Sequence, residues 1–87
     1  MAAVTRMRGG LDLGGTKIQA VVTDGEAKVL GQARRETPQI GGPHAVVLEL
    51  AEALREALDD ARVEPMGLAA VGVGAPGSID VETGTVI

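Results

Sequence analysis

The stretch GLDLGGTKIQAVVTD, Gly10 to Asp24, decides the fold. Arg8 to Leu13 reads as a strand that stops at Gly14-Gly15, and Lys17 to Thr23, rich in β-branched residues, begins a second strand at once. A Walker phosphate loop runs GxxxxGK[ST] into a helix; here the order is Gly-Gly-Thr-Lys and a strand follows, which excludes that motif. Asp24-Gly25 then reads as a hairpin dipeptide, with Gly25 supplying the positive φ of a tight turn, and a third strand follows from Val29 to Thr37. The result is a three-stranded meander.

Downstream, Pro38 to Pro43 is a Pro/Gly loop, and Pro43 suits the first turn of a helix, where its missing N–H costs nothing. His44 to Arg62 has helical periodicity: Val47, Leu50, Leu54, Leu58 and Ala61 share one face, with Ala51 and Ala57 flanking it and Glu49, Glu52, Glu56, Asp59 and Asp60 elsewhere. Pro65 marks the end, because the residue before a proline avoids the α region. Leu68 to Val73 is a continuous small-apolar run, the pattern of a strand covered on both faces. Ser78 to Val81 and Gly84 to Ile87 read as extended segments about a Glu82-Thr83-Gly84 turn, the second completing a five-strand layer. The architecture is α/β in the order β-β-β-α-β.

Composition sets the limits. The chain's 87 residues are one small domain at most. Its apolar fraction is 45% with no Phe, Trp or Tyr, so the core is entirely aliphatic. No Cys and one His exclude disulfides, zinc ribbons, iron–sulfur sites, thiolate nucleophiles and His-rich metal centres. Ser78 and His44 are the sole Ser and His, and no GxSxG elbow surrounds Ser78, which sets a Ser-His-Asp hydrolase aside. A net charge of −4 without aromatics argues against nucleic acid as a partner. The run Leu68 to Ile79 is shorter than a spanning helix and is broken by glycines and Pro76. Met1 to Gly10 has no apolar signal region, and with cysteine absent the expected location is cytoplasmic.

Two segments could carry chemistry. In the Gly14–Lys17 turn, successive backbone N–H groups can form a nest for phosphate oxygens, Thr16 adds a hydroxyl and Lys17 a charge. Asp12 projects from the strand end on the face opposite Leu11 and Leu13, where a carboxylate is either solvated or holds a cation such as phosphate-bridging Mg²⁺. On these residues alone, an ordinary Gly-Gly hairpin and a phosphate site are equally open. The second segment, Gly72 to Gly77, formally satisfies GxGxxG after a strand, but a turn rather than a helix follows and no acidic partner lies about 20 residues on, so a Rossmann site fails on context. A plain Gly/Pro loop explains it, at a strand end where α/β sheets place ligands. His44 reads as a solvated helix-end residue, and Asp80 and Glu82 as acidic turn residues rather than an acid/base pair.

Taken together, GLDLGGTKIQAVVTD and, after one helix, LAAVGVGAPGSIDVETGTVI (Leu68 to Ile87) resemble the start of the ROK family of sugar kinases and repressors, most of all its bacterial glucokinases. The resemblance runs from Arg8 to Ile87. Asp-x-Gly-Gly-Thr is shared across the actin-like ATPase and sugar kinase superfamily; Gly-x-Gly-x-Pro-Gly-x-x-Asp-x-x-x-Gly at this distance is far more family-specific.

The resemblance implies a ribonuclease-H-like (actin-like ATPase) amino-terminal domain, incomplete, with residues 1–87 as its first part and 1–7 as a ragged start. It implies that Asp12 helps hold Mg²⁺, that Gly14, Gly15, Thr16 and Lys17 cradle the ATP phosphates, and that Gln19 lies on the nucleotide side. Pro76, Gly77 and Ser78 would line the sugar pocket. Lys17 stands where other branches carry Asn. The implied reaction transfers the γ-phosphoryl group of ATP to the 6-hydroxyl of glucose or a similar aldohexose, which requires positioning, charge neutralisation and a proton acceptor. The family's catalytic Asp and its Cys/His motif for a structural Zn²⁺ fall beyond Ile87, so a kinase fragment inactive by itself, prone to self-association, from a homo-oligomeric parent is expected. Sugar and ATP are the implied partners, with neither nucleic acid nor membrane. A family repressor normally carries a helix-turn-helix ahead of the first strand, where about seven residues stand here. A stand-alone phosphate- or partner-binding module is the other alternative.

Overall fold

The computed structural model describes residues 6–74, 79–80 and 85–86. The expected meander is present: β1 (Met7–Leu13), β2 (Lys17–Thr23) and β3 (Val29–Glu36) pair antiparallel in sequence. Helix α1 (Gly42–Ala61) follows, then a short 3₁₀ turn and β4 (Leu68–Gly74), which returns to pair parallel with β1. The sheet order is β3-β2-β1-β4. The backbone of β5 (Ile79–Asp80) and β6 (Thr85–Val86) forms a separate antiparallel pair, so these segments do not extend the main sheet as expected.

Alternation builds a one-sided core. Ile18, Ala20 and Val22 of β2 and Leu11 of β1 point to one face and meet Ala53, Ala57 and Leu58 of α1, all buried and all aliphatic. Most of the expected helix face is inward: Ala57 and Leu58 are buried and Leu50, Leu54 and Ala61 pack against the core, but Val47 is 59% exposed, Ala51 is exposed, and Ala53 is buried in addition. The reason lies on β3, whose inward residues are Gly31, Ala33 and Arg35. The helix comes closest at Gly31, and Arg35 reaches from beneath its first half to Glu49 and Glu56, which therefore face the sheet.

Two further expectations are corrected. The β2–β3 loop takes its positive φ at Ala27 (65°) rather than Gly25, because Asp24 O accepts from Ala27 N and Asp24 Oδ1 accepts from the N–H groups of Glu26 and Lys28, organising a longer turn than the dipeptide suggests. Strand β4 is not covered on both faces. Helix α1 lies over β2 and β3 and reaches only part of β1, so Val71 and Val73 remain 44% and 59% exposed on the helix side of the sheet. The helix itself ends at Arg62, which adopts a left-handed φ of 58° and lets Val63 N donate to Leu58 O; the pre-proline Glu64 is extended, as expected.

Candidate functional site

Strands β1 and β4 are parallel neighbours, with Leu11 opposite Val73 and Asp12 opposite Gly74. The Gly14–Lys17 turn and the end of β4 at Gly74 therefore lie on adjacent strands at the same carboxyl edge, the edge at which parallel α/β sheets bind ligands. Pro76, Gly77 and Ser78 lie outside the described residues, as do the side chains of Asp80 and Glu82; of the second motif the structure places its root, Gly72 to Gly74.

Asp12 is exposed on the face away from the core, opposite Gln19 of β2. Gly10, Leu11, Asp12, Gln19, Val21 and Gly72 line a shallow depression of about 240 Å³ there. The glycines on β1 and β4 leave its floor bare. Oriented with its oxygen toward Arg34, the Gln19 amide accepts from Arg34 Nη2 at 2.7 Å and Nε at 3.2 Å, so a guanidinium borders the same face. Among the described residues no group of three His, Cys, Asp or Glu side chains is placed to hold a metal ion, and Asp12 is a single carboxylate.

The turn itself is narrower than a full nest. Gly14 N donates to Lys17 O at 2.9 Å, so this N–H closes the hairpin and those of Gly15 and Thr16 are left without a described acceptor. A Cβ on Gly14 would stand 3.0 Å from Lys17 O and so crowd the closing hydrogen bond; a Cβ on Gly15 would meet nothing described within 4 Å, and Gly15 is exposed. Lys17 Nζ lies 3.4 Å from Glu36 Oε1 in an exposed pair.

Behind the turn stand two residues without a role in the sequence reading. Thr37 Oγ1 donates to Gly14 O at 2.8 Å, Thr37 N to Thr16 O at 2.9 Å, and Gln39 Nε2 to Gly15 O and Thr37 O, both at 2.9 Å. Their sole signal was a polar pair flanking Pro38 at the end of the third strand, 23 and 24 residues from the Gly14 and Gly15 carbonyls that their side chains hold. His44 is exposed near the helix start, as read from the sequence, and Arg55 bonds Glu52 and Asp59 on the solvent face.

The strongest charge cluster supports the fold rather than this edge. Arg35 Nε and Nη2 donate to Glu49 at 2.7 and 3.1 Å, and Nη1 donates to Glu56. Hydrogen bonding to Glu49 raises the Arg35 pKa above its ordinary value, and the guanidinium in turn holds the Glu49 carboxyl below the usual carboxylate range. Asp24 is lowered as well, by the backbone N–H groups of Lys28 and Glu26.

Residues 8–87 match the sequence profile described as the ROK family. The chain is 36% identical over 77 residues to the glucokinase of Thermotoga maritima, covering 88% of this chain and 23% of the relative. It is 39% identical over 77 residues to the glucokinase of Streptomyces coelicolor, covering 88% and 22%. A crystal structure of a ROK family glucokinase from Streptomyces griseus, in complex with glucose and AMPPNP, superposes with a TM-score of 0.70 at 32% identity, over 85% of this chain and 22% of that one. The chain thus spans under a quarter of the length of these relatives. The mixed sheet in the order β3-β2-β1-β4 with one helix is the first part of an actin-like ATPase amino-terminal domain.

Proposed function

Because the chain belongs to the ROK family, we propose that it is the nucleotide-side, amino-terminal part of an ATP-dependent hexose kinase that phosphorylates the 6-hydroxyl of glucose or a similar sugar. The observation that supports this reading best is the register Asp12 opposite Gly74, which roots the phosphate-type turn and the second motif side by side. The relatives are glucokinases, and one of them was solved with glucose and an ATP analogue.

In this reading the N–H groups of Gly15 and Thr16, which have no acceptor among the described residues, and the Thr16 hydroxyl bind phosphate oxygens, while Lys17 leaves its weak exposed pair with Glu36 to face the added negative charge. An exposed carboxylate at a strand end fits Mg²⁺, which takes one or two carboxylates and fills its remaining positions with water and phosphate oxygens; Asp12 would hold it. The ion supplies charge neutralisation to the phosphates. Pro76, Gly77 and Ser78 are assigned to the sugar hydroxyls. No described side chain stands as proton acceptor for the sugar hydroxyl, so the 87-residue chain alone is expected to be silent.

The experiment is a coupled ADP-release assay on the product of the whole reading frame that contains this chain, with ATP, Mg²⁺ and a panel of hexoses, beside the 87-residue polypeptide. Sugar-dependent turnover in the first and none in the second is expected. A whole product that binds sugar but never consumes ATP would remove the kinase reading.

A further inference from the structure

We propose that Thr37 and Gln39 are positioning residues that aim the phosphate-binding amides of the Gly14–Lys17 turn; this rests on the kinase reading above. In a trans peptide the C=O of one residue and the N–H of the next point in opposite directions. Fixing a carbonyl therefore fixes the heading of the following amide. Thr37 Oγ1 holds Gly14 O at 2.8 Å and so directs the Gly15 N–H away from β3; Gln39 Nε2 holds Gly15 O at 2.9 Å and so directs the Thr16 N–H. Thr37 N holds Thr16 O at 2.9 Å and closes the set.

Three consecutive carbonyls are thus occupied from one side by one short segment, and the Gln39 amide is itself anchored on Thr37 O at 2.9 Å. A turn containing two glycines loses more conformational freedom on ordering than any other, so without these bonds its peptide planes would be free to rotate. Gly15 has no described packing that could restrain it instead. Pro38, between the two braces, fixes the φ of the segment that carries them. Thr37 and Gln39 touch neither nucleotide nor sugar in this assignment; they act through the turn by organising it before ATP arrives, which lowers the ordering cost of binding.

The test uses the kinase encoded by the whole reading frame, with Thr37→Val, Gln39→Leu and Thr37→Ser. Thr37→Val keeps the shape and the backbone N–H but deletes the Oγ1 donor. Loss of one such bond should raise the KM for ATP about tenfold, with the KM for sugar unchanged, and Thr37→Ser should restore it. Circular dichroism confirms that each variant is folded; should Thr37→Val unfold, Gln39→Leu, at an exposed position, carries the test. Folded variants in which both KM values move together, or neither moves, overturn the proposal. Backbone ¹⁵N relaxation separates this from failure of the kinase reading. If the parent enzyme phosphorylates no hexose, lower order parameters at Gly15 and Thr16 in the variants, with β1 and β2 unchanged, still show the brace, and unchanged order parameters overturn it.

Discussion

Gly31 of β3 and Ala61 in the last turn of α1 meet at backbone contact: a Cβ on Gly31 would stand 2.4 Å from Ala61 N and 2.5 Å from Ala57 O. These are backbone atoms and cannot swing aside, so the helix must lift if the glycine is lost. Gly31→Ala should destabilise the fold by about 3 kcal/mol through overpacking. Gly72→Ala, where a Cβ meets nothing described within 4 Å, should stay within about 0.5 kcal/mol of the parent. Thermal melts followed by far-ultraviolet dichroism compare the two, and equal effects would refute close approach at Gly31.

The helix is held at its other end by charge, which predicts acid sensitivity with a definite sign. The folded pKa of Glu49 lies below its ordinary value of 4.5, because Arg35 favours the carboxylate. The unfolded chain therefore binds a proton at a pH where the folded one does not. This contribution is fully present above the ordinary glutamate value and is lost as pH falls through the lowered folded value. Asp24 acts in the same direction through its two amide bonds. Arg35, raised above its ordinary value, stays charged throughout this window. Glu49→Gln should flatten the acid limb of a stability–pH curve while leaving its alkaline side unchanged; an unaltered acid limb would count against the Arg35–Glu49 pair.

Strand positions were legible because period-two alternation, the Gly14-Gly15 break and Pro65 act locally. So was the likeness of the two motif segments to one family. What could not be read was everything set by the distance between helix and sheet. Gly31 carries no local signal of contact, yet the helix approaches it to backbone distance, and with this approach Ala53 is buried while Val47 and Ala51 stay exposed. Leu68 to Val73 has the composition of a doubly covered strand, but α1 does not extend over it. Composition reports what a strand tolerates, and coverage depends on which other elements are near. The braces at Thr37 and Gln39 were equally hidden, since a hydrogen bond across 23 residues leaves no local pattern.

The two edges of the main sheet differ, and this predicts the behaviour of the 87-residue polypeptide. At β3, Gln32 N donates to Asp60 Oδ2 at 2.9 Å, so a helix side chain occupies one of that edge's outward N–H groups. At β4 the described pairing is with β1 alone, and the half-exposed Val71 and Val73 lie beside the outer edge. Open backbone next to apolar side chains favours addition of a second copy of the strand. Sedimentation across a dilution series should show self-association, and Val71→Lys with Val73→Lys should suppress it. A monomer persisting to high concentration would show that this edge does not recruit a partner.

Lys17 is expected to assist without being required. Its exposed pair with Glu36, at 3.4 Å, is weak enough to exchange for phosphate, and in the proposed site the amides of Gly15 and Thr16 would bind anions without it. In the proposed kinase encoded by the whole reading frame, Lys17→Asn should raise the KM for ATP by less than about tenfold, since it removes an exposed point charge, and should reduce the salt dependence of that KM. Complete loss of activity would instead make Lys17 essential to the transition state.

Asp12 should behave in the opposite way, because it is the one carboxylate at the carboxyl edge of β1 and no described acid or histidine cluster supports it. A single carboxylate holds Mg²⁺ poorly by itself, since the ion prefers to keep its waters, but it suffices once phosphate oxygens occupy the neighbouring positions. Calorimetric titration of the whole kinase with Mg²⁺ alone should therefore be silent, and titration in the presence of ATP should show binding. Asp12→Ala should cut turnover roughly a hundredfold or more, the scale seen when one charge-stabilising contact is lost from a phosphoryl or acyl transfer site. Its melting curve should match that of the parent, because the side chain is exposed and bonds no described residue. Tight Mg²⁺ binding without nucleotide, or parental kinetics in Asp12→Ala, would take the metal away from this residue and place it on another part of the protein.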